Sequence, residues 1–132
     1  LTKKPRTFLA VSMFVSGFII FVTLWALGLN PIWYSISALL LTAITMVLIN
    51  HALSADMLFS GLFMLTVAFL VYLMLLPLYP DFVERFWVPS GLSGIRILKI
   101  PMEELIWFLS WGMFAGIFYE FWKNTKDYTP HK

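Results

Sequence analysis

The sequence contains no cysteine and very little charge. The absence of cysteine excludes disulfides and thiolate metal sites. Charged residues make up 12% of the 132 residues and hydrophobic residues 61%, whereas a soluble domain is about 25% charged. Between Arg6 and Asp81 the only charged side chain is Asp56. This stretch lacks the polar residues that would cover a water-facing surface, so the sequence indicates a protein whose solvent is a lipid bilayer.

Several kinds of functional site are also missing from the sequence. It has no glycine-rich phosphate loop and no dinucleotide fingerprint, which argues against a nucleotide cofactor. His51 and His131 are the only histidines, too few for a zinc site of the usual kind. The formal net charge of +2 is small and spread along the chain. We therefore expect no cofactor, no metal site and no nucleic-acid partner.

Four long apolar runs make up most of the sequence. A helix needs about 20 mostly apolar residues to cross a hydrocarbon core about 30 Å thick. Such runs lie at about residues 8–29, 32–53, 57–78 and 101–122. The predicted fold class is all-α, an integral membrane bundle of four transmembrane helices. We treat residues 1–132 as a single transmembrane helical domain and, because the chain begins at Leu1, expect it to be a fragment or half of a larger unit.

Basic residues predict the orientation of the bundle. They cluster before the first span (Lys3, Lys4, Arg6) and after the last (Lys123, Lys126, Lys132). Cytoplasmic segments are enriched in Lys and Arg, and an even number of spans places both clusters on one side. We predict that both termini are cytoplasmic and that the membrane is the bacterial inner membrane. The long linker at about residues 79–100 would lie on the opposite side, and loops of this length often carry function.

Two adjacent carboxylates follow a proline at the start of the fourth span. Glu103 and Glu104 come directly after Pro101-Met102 and before an apolar helix. Ionisable residues in membrane helices are costly and are therefore candidates for function. Two neighbouring carboxyls in a dry site resist being ionised together, which leaves a proton donor suited to acid catalysis. The same pattern also suits an ordinary helix start at the headgroup level, where proline and glutamate are common.

Aromatic residues continue along the same helix. Trp107 and Trp111 follow Glu103 at intervals of four, which places the three side chains along one stripe. Aromatic ring faces stabilise nearby positive charge, so an acid above these rings could protonate an alkene and shelter the resulting cation. Alternatively, the rings simply face lipid or pack the bundle. Glu120 lies about 24 Å further along the helix and cannot share a site with the acid pair.

The region around the acid pair resembles the integral-membrane lycopene cyclase domain, which occurs in heterodimeric bacterial cyclases and in the fungal fusion with phytoene synthase. The resemblance covers roughly residues 79–122, with a cyclase-like signature at 87–122. It is carried by Trp87-Val88-Pro89 and by the run from Leu92 to Phe108, LSGIRILKIPMEELIWF. The family signature is a proline, one variable residue and Glu-Glu or Glu-Asp, preceded by a tryptophan and a Gly-Ile/Val stretch and followed by an aromatic-rich helix.

The resemblance implies an isomerisation. Glu103 or Glu104 would protonate the terminal double bond of a linear carotene, and the neighbouring double bond would close a six-membered ring. The implied substrate-binding residues are Pro101, Trp107, Phe108 and Trp111. The implied partners are membrane lipid, a hydrophobic polyene or isoprenoid substrate, and a second cyclase half or another copy of the chain, since family cyclases commonly hold two such units.

Two other function classes fit the composition. The first is a non-enzymatic membrane subunit or scaffold of the same fold, and the second is a small transporter, although the first three spans carry few polar residues to line an aqueous path. A cyclase predicts that Glu103 and Glu104 face an apolar, helix-lined cavity. A scaffold predicts them at the headgroups without a cavity, and a transporter predicts a polar path from them towards His51 or Glu120.

Overall fold

The structure, a computed structural model, describes residues 4–86 and 91–125. Its helices are α1 (Thr7–Ala26), α2 (Pro31–Ile49), a 3-10 turn (His51–Leu53), α3 (Ser54–Leu78), α4 (Phe82–Phe86) and α5 (Met102–Lys123). Strands β1 (Arg96–Ile97) and β2 (Ile100–Pro101) form a short antiparallel hairpin before α5. Seven residues used in the sequence predictions lie outside the described ranges: Lys3, Trp87, Val88, Pro89, Lys126, His131 and Lys132.

Four of these helices are long and apolar enough to cross a membrane: α1, α2, α3 with the 3-10 turn before it, and α5. Large hydrophobic side chains project outward along them; Phe8, Phe59 and Phe63, for example, are 87%, 73% and 71% exposed. Side chains of this kind match the apolar interior of a bilayer and would be unfavourable in water. The predicted all-α fold of four candidate spans is confirmed.

The helix ends follow local sequence signals. Asn30 caps α2 by accepting a hydrogen bond from the backbone N–H of Ile32, with Pro31 at the first helical position. The second span was predicted to extend to residue 53. Helix α2 ends earlier, at Ile49, because the backbone of Asn50 is extended and the 3-10 turn begins at the next residue. Helix α3 accordingly begins at Ser54 rather than at 57, and Pro77 lies inside its last turn.

The four long helices alternate in direction, so that the bundle has two ends. At the end that holds the described parts of both termini, the backbone N–H of Arg6 donates to the carbonyl of Trp122 at 2.7 Å. At the other end, which we call the loop end, the Trp33 indole N–H donates to the Gly91 carbonyl at 3.3 Å. Helix α5 packs against both α2 and α3, while α1 packs mainly against α2. The loop end therefore gathers the α1–α2 turn, α4, the hairpin and the start of α5.

Small residues bring α3 and α5 close together. A Cβ atom added to Gly112 would lie 2.5 Å from the carbonyl oxygen of Ser60 and 2.9 Å from the Cα of Gly61. Such distances leave no room for any side chain at Gly112. Close approach of backbones through small residues is a common means of packing helices in membranes, where the hydrophobic effect does not drive helices together.

The β1–β2 hairpin turns at Leu98 and Lys99. Both residues have positive φ values, 48° and 70°, which a two-residue turn of the I′ type requires and which Asn and Gly adopt most readily. A leucine and a lysine in this conformation store backbone strain. Ile100 is fully buried in a cluster with Tyr72, Val83 and Leu105, and this packing holds the hairpin against α3, α4 and α5.

Candidate active site

The acid pair lies in the first turn of α5 and is buried. Glu103 is 0% exposed and Glu104 is 5% exposed. Carboxylates are favoured in a first helical turn by the helix dipole, but in an ordinary helix start they remain in contact with water. Burial of both side chains therefore distinguishes this pair from a solvated helix start.

The hairpin and the residues before it cover Glu103. The backbone N–H of Ser93 donates to Glu103 Oε1 at 2.5 Å, and the backbone N–H of Met102 donates to the carbonyl of Ile95 at 3.0 Å. Within the described residues Glu103 Oε2 is buried and accepts no hydrogen bond. A buried carboxyl oxygen without a partner is unfavourable, so a proton or a water molecule at this oxygen would stabilise the site.

An ion pair attaches the hairpin to α4. Arg96 Nη1 lies 2.7 Å from Glu84 Oε1, and both side chains are partly exposed to solvent. The hydrogen bond from Arg96 lowers the pKa of the Glu84 carboxyl below its ordinary value. Glu84, outside the long helices, therefore carries a negative charge at neutral pH and links α4 to β1.

This ion pair predicts a pH dependence of the hairpin. Because the native pKa of Glu84 is lowered, its stabilising effect is complete above the ordinary glutamate pKa, about 4.3. The effect is lost as the pH falls through the lowered native pKa. Between pH 6 and pH 3, hydrogen exchange at the Met102 amide should accelerate by a few-fold after correction for the intrinsic rate, as expected for an exposed pair. Glu84→Gln should remove this acceleration; an identical acceleration in Glu84→Gln would contradict the assignment.

The tryptophan stripe below the acid pair faces an apolar groove. Trp107 and Trp111 lie one and two turns beyond Glu103, and their ring centroids are 6.3 Å apart in an edge-to-face arrangement. The groove has a volume of about 430 Å³ and runs between α1, α2 and α5. Its other lining residues are Met13, Phe14, Gly17, Phe18, Phe21, Ser35, Ala38, Leu39, Thr42 and Phe114. An elongated hydrocarbon matches such a lining, whose residues carry side-chain polar atoms only in the hydroxyls of Ser35 and Thr42 and the indole N–H groups of the two tryptophans.

A family model for lycopene cyclase matches residues 30–122. The match covers more than half of the chain and includes the acid pair, the hairpin and the tryptophan stripe. The chain belongs to the lycopene cyclase family. Comparison with curated proteins and with solved structures found no match. The family match leaves α1 outside, so the groove is built jointly by the matched region and by a helix beyond it.

The predicted site residues of this lycopene cyclase family member divide into two groups. Glu103 and Pro101 line a small cavity beneath the hairpin, and Trp107 and Trp111 line the groove. Phe108 faces elsewhere and packs against the cluster around Tyr72 and Ile100. The structure thus places the acid and the proline at one cavity and the two tryptophans at another, and neither glutamate lines the apolar groove. Phe108 points towards α3. The roles of these residues in catalysis and binding stay predictions.

Three features of the site were not identified from the sequence. The Ser93 amide contacts Glu103 directly, although in the sequence Ser93 is marked only as part of the family pattern. The Glu84–Arg96 ion pair spans twelve residues, and no local spacing indicates it. Helix α1 supplies five residues of the groove lining, although α1 itself carries no motif. For these three features the sequence offered one local signal, Ser93-Gly94 just before β1. A Ser-Gly pair favours a turn, which could return the chain over α5.

Proposed function

We propose that this chain catalyses the ring closure of a linear carotene end group by acid catalysis, with no net change in redox state. The proposal is carried by one observation. Glu103, a fully buried carboxyl, lies one helical turn before Trp107 in α5, and Trp107 lines an apolar groove together with Trp111. Membership of the lycopene cyclase family supports the same chemistry. A polyene would lie in the groove with its end group towards the start of α5, and it would enter from the hydrocarbon core.

The proposed reaction begins with proton transfer from the Glu103 carboxyl to the terminal carbon–carbon double bond. The resulting tertiary cation is attacked by the neighbouring double bond, which forms the new carbon–carbon bond of a six-membered ring. The ring cation then loses one proton to a base, a carboxylate of the acid pair or water, and the ring double bond forms. One proton is gained and one is lost, so the product is an isomer of the substrate and no oxidant or reductant is needed.

Glu103 is the proposed donor, rather than its neighbour, because of the small cavity beneath the hairpin. Glu103 lines this cavity and Glu104 does not, whereas helical spacing favours neither, since Glu103 precedes Trp107 by four residues and Glu104 precedes it by three. Glu104 adds a second buried carboxyl beside Glu103, and two adjacent negative charges are unfavourable there. The neighbour therefore helps to keep one proton on the pair.

The two tryptophans are the proposed stabilisers of the cation. A cation over a tryptophan face in a desolvated site gains about 1–2 kcal/mol, so Trp107→Leu should lower the rate of cyclisation about ten-fold. Trp107→Phe should lose less, because it keeps an aromatic face. Trp25→Leu is the matched control, since Trp25 is 62% exposed on α1 outside the groove lining. Equal losses in Trp107→Leu and Trp25→Leu would argue against the cation role.

The cellular setting is also a proposal. We propose the bacterial inner membrane, with both termini cytoplasmic and the acid pair near the opposite surface. The chain carries one acid-pair signature, so we propose that a second cyclase half or another copy of this chain completes the active unit.

The proposed function can be tested in a bacterium engineered to accumulate lycopene. The chain would be expressed alone and together with a candidate partner half, and pigments would be separated by chromatography. Monocyclic or bicyclic carotene formed only when the chain is present would support the proposal. Unchanged lycopene under both conditions, with the chain demonstrated in the membrane, would favour the scaffold.

A further inference from the structure

A second, smaller cavity reaches Glu103 from the loop end. Its volume is about 50 Å³, and it lies between α4, the segment before β1 and the start of α5. The lining residues are Val83, Glu84, Leu92, Gly94, Ile95, Arg96, Pro101 and Glu103. One part of this wall is the exposed Glu84–Arg96 ion pair, and another is the fully buried Glu103. The cavity therefore connects the water-facing surface with the buried acid.

The size and lining of this cavity suit water. One water molecule occupies roughly 30 Å³ in the liquid and needs two to four polar partners when it is buried. The carboxyl groups of Glu84 and Glu103 and the guanidinium of Arg96 can supply these partners. Glu103 Oε2, which is buried and accepts no hydrogen bond within the described residues, is the atom that such a water would satisfy.

The other approaches to Glu103 are much poorer routes for a proton. The groove beside Trp107 is almost entirely apolar and opens towards lipid. The opposite end of the bundle lies about 30 Å away along the 22 residues of α5. A proton donor that acts repeatedly must exchange its proton with water, and among the described residues the small cavity provides the shortest polar path to Glu103.

We propose that this cavity holds the water through which Glu103 exchanges its proton with the solution at the loop end. The Glu84–Arg96 pair holds the mouth of the path open between α4 and β1, and Ile95 forms its outer rim. These are positioning residues, because they act through Glu103 and not on the substrate. The use of the path in catalysis rests on the proposed function, whereas its existence does not.

The chain has no cysteine, so the path can be probed with single cysteines and no background reaction. The variants Glu103→Cys and Val83→Cys each place a thiol on the cavity wall, the second by a small change in case the first does not fold. Ser110→Cys is the control, since Ser110 is also 0% exposed but lies in the middle of α5. The probe is Ag⁺ added to the protein in membranes, with the remaining thiol counted by maleimide labelling after denaturation.

The expected result is a reaction of Glu103→Cys or Val83→Cys at least about ten-fold faster than that of Ser110→Cys, because thiol reactivity depends on access. Adding Ile95→Trp should slow this reaction at least about five-fold by narrowing the rim, whereas Ile97→Trp, an exposed position on β1 outside the cavity lining, should not. Reaction no faster than that of Ser110→Cys, or equal effects of the two tryptophan substitutions, would overturn the path. The measurement needs no substrate, so it separates failure of the path from failure of the proposed function.

Discussion

Glu103→Gln is expected to lower the rate of carotene cyclisation by about 10²–10⁴-fold, which is the usual contribution of a positioned general acid. Glutamine preserves the size of the side chain and can still accept the hydrogen bond from the Ser93 amide, but it cannot deliver a proton. Glu120→Gln is the matched control, because it makes the same change near the other end of α5. The rate would be measured in membranes supplied with a linear carotene.

Two further variants assign the roles within the acid pair. Glu104→Gln should reduce the rate less than Glu103→Gln, because Glu104 does not line the small cavity beneath the hairpin. Glu103→Asp should retain part of the activity, since it keeps a carboxyl but withdraws it by one methylene. If Glu104→Gln were inactive and Glu103→Gln fully active, Glu104 would be the proton donor and Glu103 its neighbour. Full activity of both variants would contradict acid catalysis by the pair.

Gly112→Leu is expected to cause the largest loss of stability. The substitution forces a side chain against the Ser60 carbonyl and the Gly61 Cα, which are backbone atoms that cannot move aside without separating α3 from α5. Overpacking of a tight contact costs about 1–3 kcal/mol and sometimes more, so we expect a loss of at least about 3 kcal/mol in the free energy of unfolding. Equilibrium unfolding in mixed detergent micelles would measure it.

Ala115→Leu provides the control for this packing prediction. Ala115 lies three residues further along α5, where it is exposed and borders an open groove beside α3, so the added side chain has room. Its effect should stay within about 0.5 kcal/mol, as for other surface substitutions. An equal loss in the two variants would mean that leucine disturbs α5 in general and that the contact at Gly112 is not special.

The four long helices could be predicted because the bilayer imposes a simple rule. Any segment that crosses it needs about 20 apolar residues and must satisfy its backbone hydrogen bonds internally. The ends were less predictable, since local capping decides them. Asn50, for example, ends α2 and caps the 3-10 turn by accepting a hydrogen bond from the Ala52 N–H, although the predicted span continued to residue 53.

The acid pair and the tryptophan stripe were predictable as candidates, because their spacing on one helix is fixed by helical geometry. Their surroundings were not, because they depend on contacts between distant segments. The Ser93 amide reaches Glu103 only through the hairpin, whose turn at Leu98 and Lys99 carries none of the usual turn residues. Burial of Glu103 likewise depends on how the linker folds back over α5.

The groove depends on tertiary structure in the same way. Phe14 and Phe18 are ordinary apolar residues in a spanning helix, and nothing in their pattern separates a groove-lining side chain from a lipid-facing one. Which of them line the groove depends on how closely α1 approaches α2. At Gly17 the two helices are so close that an added Cβ atom would lie 2.7 Å from Thr42 Oγ1. This contact holds α1 beside the tryptophans of α5.

The central claim is that a carboxyl of this chain donates a solvent-exchangeable proton to a carotene end group without any redox change. It is tested most directly by the mass of the cyclic product formed from unlabelled linear carotene in H₂O and in D₂O. The account predicts a product of unchanged mass in H₂O and one with about one deuterium per ring in D₂O, because the acid takes its proton from the solution. A cyclic product whose mass changes in H₂O, or one that carries no deuterium in D₂O, would contradict the account.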